Sequence, residues 1–335
     1  MQGQGATPPD PLPQSAARGA WARIVDRTPL ASAIDAWLRG VSQVVFQDNL
    51  PCALLILLAV AWAAYDGRQP ALLGGAVLAT IVATLTARLL RADAALLRRG
   101  LFGYNGMLVG IALPTYLTPT PTLWVCIVLG AALSTVVTLA LFALLRPWKV
   151  AALTAPYLLT LWCLLLAAHQ FAGLPGPDPS VPALAIPIDP GLLSALQGTL
   201  LAVMRGVAQV FLLPDAVSGA LILAGIAASS RRAALFTAAG SLLALAVAWL
   251  FGTDRAATLA GMYSFSAVLT AVALGDAFGH PGLRGIAYAA FGVVATVVVN
   301  AALNTLLAPI GLPASTMPFV LTTWLFLLAR RRFAI

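Results

Sequence analysis

Apolar residues along this chain gather in ten runs, at about 50–65, 70–90, 101–117, 122–145, 154–172, 216–229, 233–251, 260–275, 285–307 and 316–329. Turn residues and charges break each run from the next. Several runs match the ~20 residues a helix needs to cross about 30 Å of hydrocarbon, and the shorter ones suit tilted or broken helices. The pattern predicts two groups of five membrane-spanning helices. Between the groups lies GLPGPDPSVPALAIPIDP, residues 173–190, which is Pro-rich and has no Lys or Arg. It reads as an exposed, extracytoplasmic linker.

The second group repeats the first. RGVSQVVF at 39–46 matches RGVAQVFL at 205–212, GLFGYNGMLVGIAL at 100–113 matches GMYSFSAVLTAVAL at 261–274, and TAPYLLTLW at 154–162 matches TMPFVLTTW at 316–324. The offsets are 166, 161 and 162 residues. An odd number of spans per copy places the copies in opposite orientations, which predicts an inverted repeat with any shared site near the bilayer midplane. The expected division is a cytoplasmic tail at 1–37, a first repeat at 38–172, the linker, and a second repeat at 191–335. LRGVSQVVFQDN and MRGVAQVFLLPD are apolar yet carry Arg, Gln and Asp or Asn. They read as re-entrant half-helices entering from opposite faces. In the other parse, the glycine-rich GLFGYNG is the re-entrant piece.

Composition agrees. The chain is 61% hydrophobic and 9% charged, with mean hydropathy +0.94, where a soluble domain carries about a quarter charged residues. The net charge of +8 is spread over the ends of apolar runs and forms no basic stripe, so it speaks for topology rather than nucleic acid. With the N-terminus inside, sixteen Lys and Arg fall on the cytoplasmic side and Arg68, Arg205 and Arg255 outside. That bias places both termini in the cytoplasm of a multi-pass protein of the inner cell membrane. Residues 1–20 have no apolar core of a signal peptide. Cys52, Cys126 and Cys163 form no CxxC or Cys/His grouping, and read as packing residues.

The spans hold almost nothing that titrates. Glutamate is absent, His169 lies at a helix end and His280 in a loop. Ion-coupled transport draws on intramembrane carboxylates or histidines. Only Asp48 and Asp215, beside the half-helices, qualify, and both read better as caps or as orienting groups at the breaks. No hydrolytic site, metal site or cofactor is expected.

Neutral hydrogen-bonding groups remain, and they come in pairs. Thr154 and Thr316 each stand two residues before a proline, which suits an N-cap. Their duplication suggests instead one pore-lining hydroxyl from each half. Gln43 and Gln209 are duplicated likewise, at half-helix ends where unpaired carbonyls would accept hydrogen bonds and repel anions. Tyr104 with Leu108, and Phe265 with Leu269, stand at i,i+4 and share a helix face. Two such faces meeting across a pseudo-two-fold would make a flat apolar slot. Phe46 has an approximate counterpart in Phe211 or Leu212. Glycines 100, 103, 106 and 110 permit that close approach, or simply close helix packing. A slot edged with acceptors fits a small, planar, neutral donor molecule.

At these residues the sequence resembles the urea transporter family. The proline-threonine signature stands as Leu312, Pro313, Thr316, Pro318 and Phe319, and the glutamine-valine signature as Gln43, Val44, Phe46 and Asn49. The resemblance implies a passive, channel-like urea permease in the membrane lipid, with one pore per subunit and three subunits in a homotrimer. Carried over residue by residue, it implies central threonines Thr154 and Thr316. It also implies slot residues Phe46, Tyr104, Leu108, Phe265 and Leu269, with Phe211 as the approximate partner, and carbonyl-ladder side chains Gln43 and Gln209. The chain departs from the pattern at Val150–Ala151, Tyr157, Leu212 and Asp215.

Overall fold

A computed structural model describes residue 21, residues 23–25, 27–176 and 192–333. The expected tail 1–20 and most of the expected linker fall outside them. All regular structure among the described residues is helical. The first repeat contributes α1 (Pro29–Ser42), α2 (Leu50–Asp66), α3 (Pro70–Leu89), α4 (Ala94–Arg98), α5 (Gly103–Tyr116), α6 (Pro121–Leu145) and α7 (Ala155–Ala168). The second contributes α8 (Leu192–Ala208), α9 (Ala216–Ser229), α10 (Arg231–Leu250), α11 (Arg255–Leu259), α12 (Phe265–Val272), α13 (Leu283–Leu307) and α14 (Met317–Phe333). The sets match element for element. Each holds five apolar helices, one half-helix (α1, α8) and one short helix (α4, α11). α3, α6, α10 and α13 are each long and apolar enough to span a membrane alone. α1 starts at Pro29, upstream of the residue-38 boundary read from the sequence.

The sequence left two parses of the re-entrant piece, and the backbone bends at the Gln-Val segments. α1 and α2 meet at 74°, and α8 and α9 at 77°. Each half-helix tightens into a 3₁₀ turn, Gln43–Val45 or Gln209–Phe211. A left-handed residue then turns the chain, Phe46 at φ 61° or Leu212 at φ 59°. Phe46 N–H closes on the Gln43 carbonyl at 3.1 Å, and Leu212 N–H on that of Gln209 at 3.0 Å. The next helix is capped by Asn49, which accepts from Cys52 N–H at 3.0 Å, or by Asp215, from Ser218 N–H at 2.7 Å. Asp215 therefore serves a break in the backbone, as its position suggested. GLFGYNG leads into α5.

The inversion is visible where α2 packs on α9. Cys52 lies against Gly225, whose added Cβ would stand 3.3 Å from the Cys52 carbonyl. Two turns along α2, the Ala59 carbonyl accepts from the Ser218 hydroxyl at 2.9 Å. Ser218 and Gly225 are the repeat counterparts of Cys52 and Ala59, so equivalent helices cross antiparallel. The outward faces are apolar, with Leu54, Leu58, Leu85, Leu129, Leu242, Phe291 and Val298 exposed. This is the reverse of a soluble fold and suits a lipid surround.

Small residues set the spacing inside. A Cβ at Gly75 would lie 2.1 Å from the Gly110 carbonyl oxygen, so α3 and α5 cross backbone to backbone. Gly100 (φ 76°) and its counterpart Gly261 (φ 83°) turn against the half-helices, where a Cβ would strike the Gly40 or Gly206 nitrogen at 2.2 or 2.5 Å. Of the two readings of these glycines, the contacts support close packing.

One difference between the halves explains a numerical detail. The repeat offset rises from 161 to 162 between the second and third matched stretches. In the structure α12 continues as a π-helical turn, Ala273–Ala277, where α5 stays α-helical to Tyr116. A π turn holds one extra residue, so a single-residue insertion is absorbed there without moving the helices that follow.

Candidate functional site

The site forms where the two helix starts that follow proline-threonine segments face each other. Leu153 (φ 53°) and Ser315 (φ 45°) take the left-handed conformation immediately before the two threonines, turning each chain sharply into α7 or α14. The Thr154 and Thr316 hydroxyl oxygens come within 2.7 Å of each other, and both residues are buried, at 3% and 2% exposure. Thr154 stands at the N-cap position of α7, yet its side chain makes no capping bond. Its hydroxyl is turned to the other half of the chain instead. The capping reading therefore fails for Thr154.

Reciprocal bonds hold this meeting point. Trp162 Nε1–H donates to the Pro313 carbonyl at 2.9 Å, and its counterpart Trp324 donates to the Ala151 carbonyl at 2.8 Å. A two-fold contact has this form, each half giving what the other gives. Around it, the Tyr104 hydroxyl donates to the Leu153 carbonyl at 2.6 Å, and the Ser266 hydroxyl to the Ser315 carbonyl at 3.1 Å. Asn105 Oδ1 accepts from Tyr157 N–H at 3.2 Å. The carbonyls exposed by the left-handed turns are thus met by donors from α5 and α12. The symmetry fails in the surrounding bonds: Tyr104 pairs with Phe265, which has no hydroxyl, and the Tyr157 hydroxyl meets Ser315 Oγ at 2.9 Å. Phe319, the counterpart of Tyr157, has no hydroxyl to match it.

The other sequence-derived residues divide. Tyr104, Leu108, Phe265 and Leu269 are buried on α5 and α12, the elements that supply those donors. Phe46 is half-buried, its ring edge-on to Phe319 at 6.1 Å and to Phe278 at 5.8 Å. Leu212, not Phe211, occupies the left-handed position equivalent to Phe46. Phe211 aligns with Val45, and both are fully packed in the core. Gln43 Nε2 donates to the Arg99 carbonyl at 2.9 Å, tying the half-helix end to the α4–α5 loop. Gln209 is half-buried. Asp48 lies between Arg39 (3.9 Å) and Arg99 (3.6 Å), beyond the bend.

Sequence reading left Trp162, Trp324, Asn105, Ser266 and Phe278 out of the site. The tryptophans did carry a signal, since both close the matched nine-residue stretches eight positions after the threonines. Phe278 carried none: it follows the π turn, and its approach to Phe46 depends on that inserted residue.

The arrangement has neutral hydroxyls, backbone carbonyls and aromatic edges, with no Asp, Glu, His, Lys or Arg among the described residues that make these bonds. It can offer hydrogen bonds, as donor and acceptor, to an uncharged solute. A family model described as Urea transporter matches residues 34–331. The chain belongs to the urea transporter family. Urea transporter 1 of Ovis aries is 32% identical over 319 residues, covering 90% of this chain and 78% of the relative. Urea transporter 1 of Capra hircus is 31% identical over the same coverage, and that of Rattus norvegicus 31% over 315 residues. As a member of the urea transporter family, the chain is a multi-pass membrane transport protein and not an enzyme, and urea is the solute its family carries.

Proposed function

We propose that the protein conducts urea passively, down its gradient, through a pore between its two halves. The threonine pair forms the narrowest point. One observation carries this reading: Thr154 and Thr316, 162 residues apart, meet hydroxyl to hydroxyl at 2.7 Å in a buried position. A hydroxyl both donates and accepts. Urea, with N–H donors flanking a carbonyl, can exchange the threonine–threonine bond for two of its own, so no buried group goes unpaired during passage. Tyr104, Leu108, Phe265 and Leu269 wall the slot on either side of the pair, with Phe46 at one mouth and Leu212 at the other. Gln43 and Gln209 hold the half-helix ends whose carbonyls line the approach. Ions are excluded because nothing at the centre replaces their hydration.

In this reading both termini lie in the cytoplasm, supported by the distribution of Lys and Arg. Three subunits, each with its own pore, assemble in the lipid bilayer, as the family resemblance implies. The test is urea flux into proteoliposomes with and without imposed pH or sodium gradients. The expected flux follows the urea gradient alone. Accumulation driven by either ion gradient overturns the passive reading in favour of a coupled transporter.

A further inference from the structure

A cavity of about 310 Å³ lies at the loop joining the π turn to α13, and neither Thr154 nor Thr316 lines it. Leu274, Pro281 and Gly285 give it apolar walls, while His280, Arg284, Tyr288 and Arg330 bring polar groups, and no acidic side chain lines it. Arg284 is exposed, with no hydrogen bond or ion pair among the described residues. Arg330 is half-buried and donates to the Phe278 carbonyl at 2.6 Å. Tyr288 donates to the Phe326 carbonyl at 2.8 Å. The neighbouring carboxylate, Asp276, is held by Arg232 at 3.4 Å. Two guanidinium groups thus border a cavity that offers them no counter-charge.

The repeat supplies an internal control. The first-copy counterparts of His280, Arg284, Tyr288 and Arg330 are Thr118, Thr122, Cys126 and Ala168. None is cationic. The cations are therefore not part of the architecture the two copies share, and stand at one end of the second copy's helices. Arg284 is the second residue of the 25-residue α13, and Arg330 lies near the C-terminal end of α14. Both positions fall where helices leave the apolar layer.

We propose that this cavity binds the phosphate of an anionic membrane lipid, with Arg284 and Arg330 on the phosphate oxygens. The apolar walls take the glycerol and the first acyl carbons. Arginine suits this chemistry because its planar fork meets two phosphate oxygens at once. Basic pockets between membrane helices are recognised sites for anionic head groups. A free phosphate ion would satisfy the arginines but leave the apolar walls wet, which favours a lipid.

The test is binding to the purified full-length protein in neutral detergent, read by native mass spectrometry and by Tm. The probes are dioleoylphosphatidylglycerol, dioleoylphosphatidylcholine and inorganic phosphate. The expected result is retention and Tm stabilisation by phosphatidylglycerol over phosphatidylcholine, reduced about fivefold in Arg284→Gln and largely kept in Arg284→Lys. Arg284 is exposed and has no partner among the described residues, so the lipid-free Tm of Arg284→Gln stays at the parent value. Stabilisation by inorganic phosphate equal to that by phosphatidylglycerol, and lost in Arg284→Gln, would replace the lipid by a free anion. Equal binding of the two lipids, or no change in Arg284→Gln, overturns the proposal.

Discussion

The two halves of this protein follow one plan, and they agree and disagree in a pattern. They agree where equivalent residues meet or bond across the two proline-threonine segments. Thr154 meets Thr316, and Trp162 and Trp324 exchange equivalent bonds. Leu153 and Ser315 share a left-handed turn, and Gly100 and Gly261 turn against equivalent half-helices. They disagree at the bends, at one helix end and at the position after each central proline. Phe46 is answered by Leu212, Tyr157 by Phe319, and the α-helical end of α5 by a π turn after α12. A contact on the pseudo-axis ties two residues together, so changing one disturbs its partner in the other half. A residue such as Phe46, whose partners Phe278 and Phe319 are not its own repeat equivalent, can change alone.

Substitutions in one half at a time measure how far the two are equivalent. The largest effect is expected at the axis. Thr154→Val or Thr316→Val leaves the other hydroxyl buried without a partner, at a cost of about 1–3 kcal/mol to the same contacts that would receive the solute. Urea flux in proteoliposomes should fall roughly tenfold or more, with helical content unchanged by circular dichroism. Unchanged flux in both variants would reduce the threonines to structural residues.

Next come the reciprocal bonds. Trp162→Phe and Trp324→Phe each remove one crossing hydrogen bond, worth about 1 kcal/mol. Thermal unfolding should show similar losses for the two, and a marked inequality would end the symmetric account of this contact. At the mouths, Phe46→Leu copies the second half onto the first. It removes two edge-on ring contacts, worth about 0.5–1.5 kcal/mol each. Discrimination between urea and N-methylurea should relax a few-fold while urea flux persists. The smallest effect belongs to Asp48→Asn. Its ion pairs with Arg39 and Arg99 are partly exposed and contribute less than about 1 kcal/mol, so flux should be unaltered and Tm should move by no more than about 2–4 °C.

Much of the architecture was legible in the sequence because a membrane protein writes its fold in one dimension. Each span must satisfy its own backbone, so long apolar runs become helices wherever they occur, and the ten runs correspond to ten apolar helices. Duplication made the site legible too, since a lone threonine before proline reads as a cap while two at matched positions ask to be compared. The partner of Phe46 was legible in the repeat alignment but obscured by chemistry, since offset 166 sets Phe46 on Leu212. Phe211 and Leu212 are adjacent, and chemical similarity favours the phenylalanine, whereas backbone dihedrals assign Leu212 to the equivalent place. Phe278 was hidden for a related reason, because a one-residue insertion looks like a shift in register until its π turn is seen.

The sequence by itself determined the helices, their duplication, the odd number of spans that inverts one copy, and the pairing of Thr154 with Thr316 as equivalents. Hydrophobic length and parity are enough for these, and neither depends on distant contacts. Only the tertiary structure decided that the two hydroxyls touch and that Thr154 caps nothing. It also decided that the half-helix ends bend at Phe46 and Leu212, and that two tryptophans bond the halves together. Those facts depend on left-handed turns and on contacts between residues some 150–170 positions apart, which no local pattern encodes.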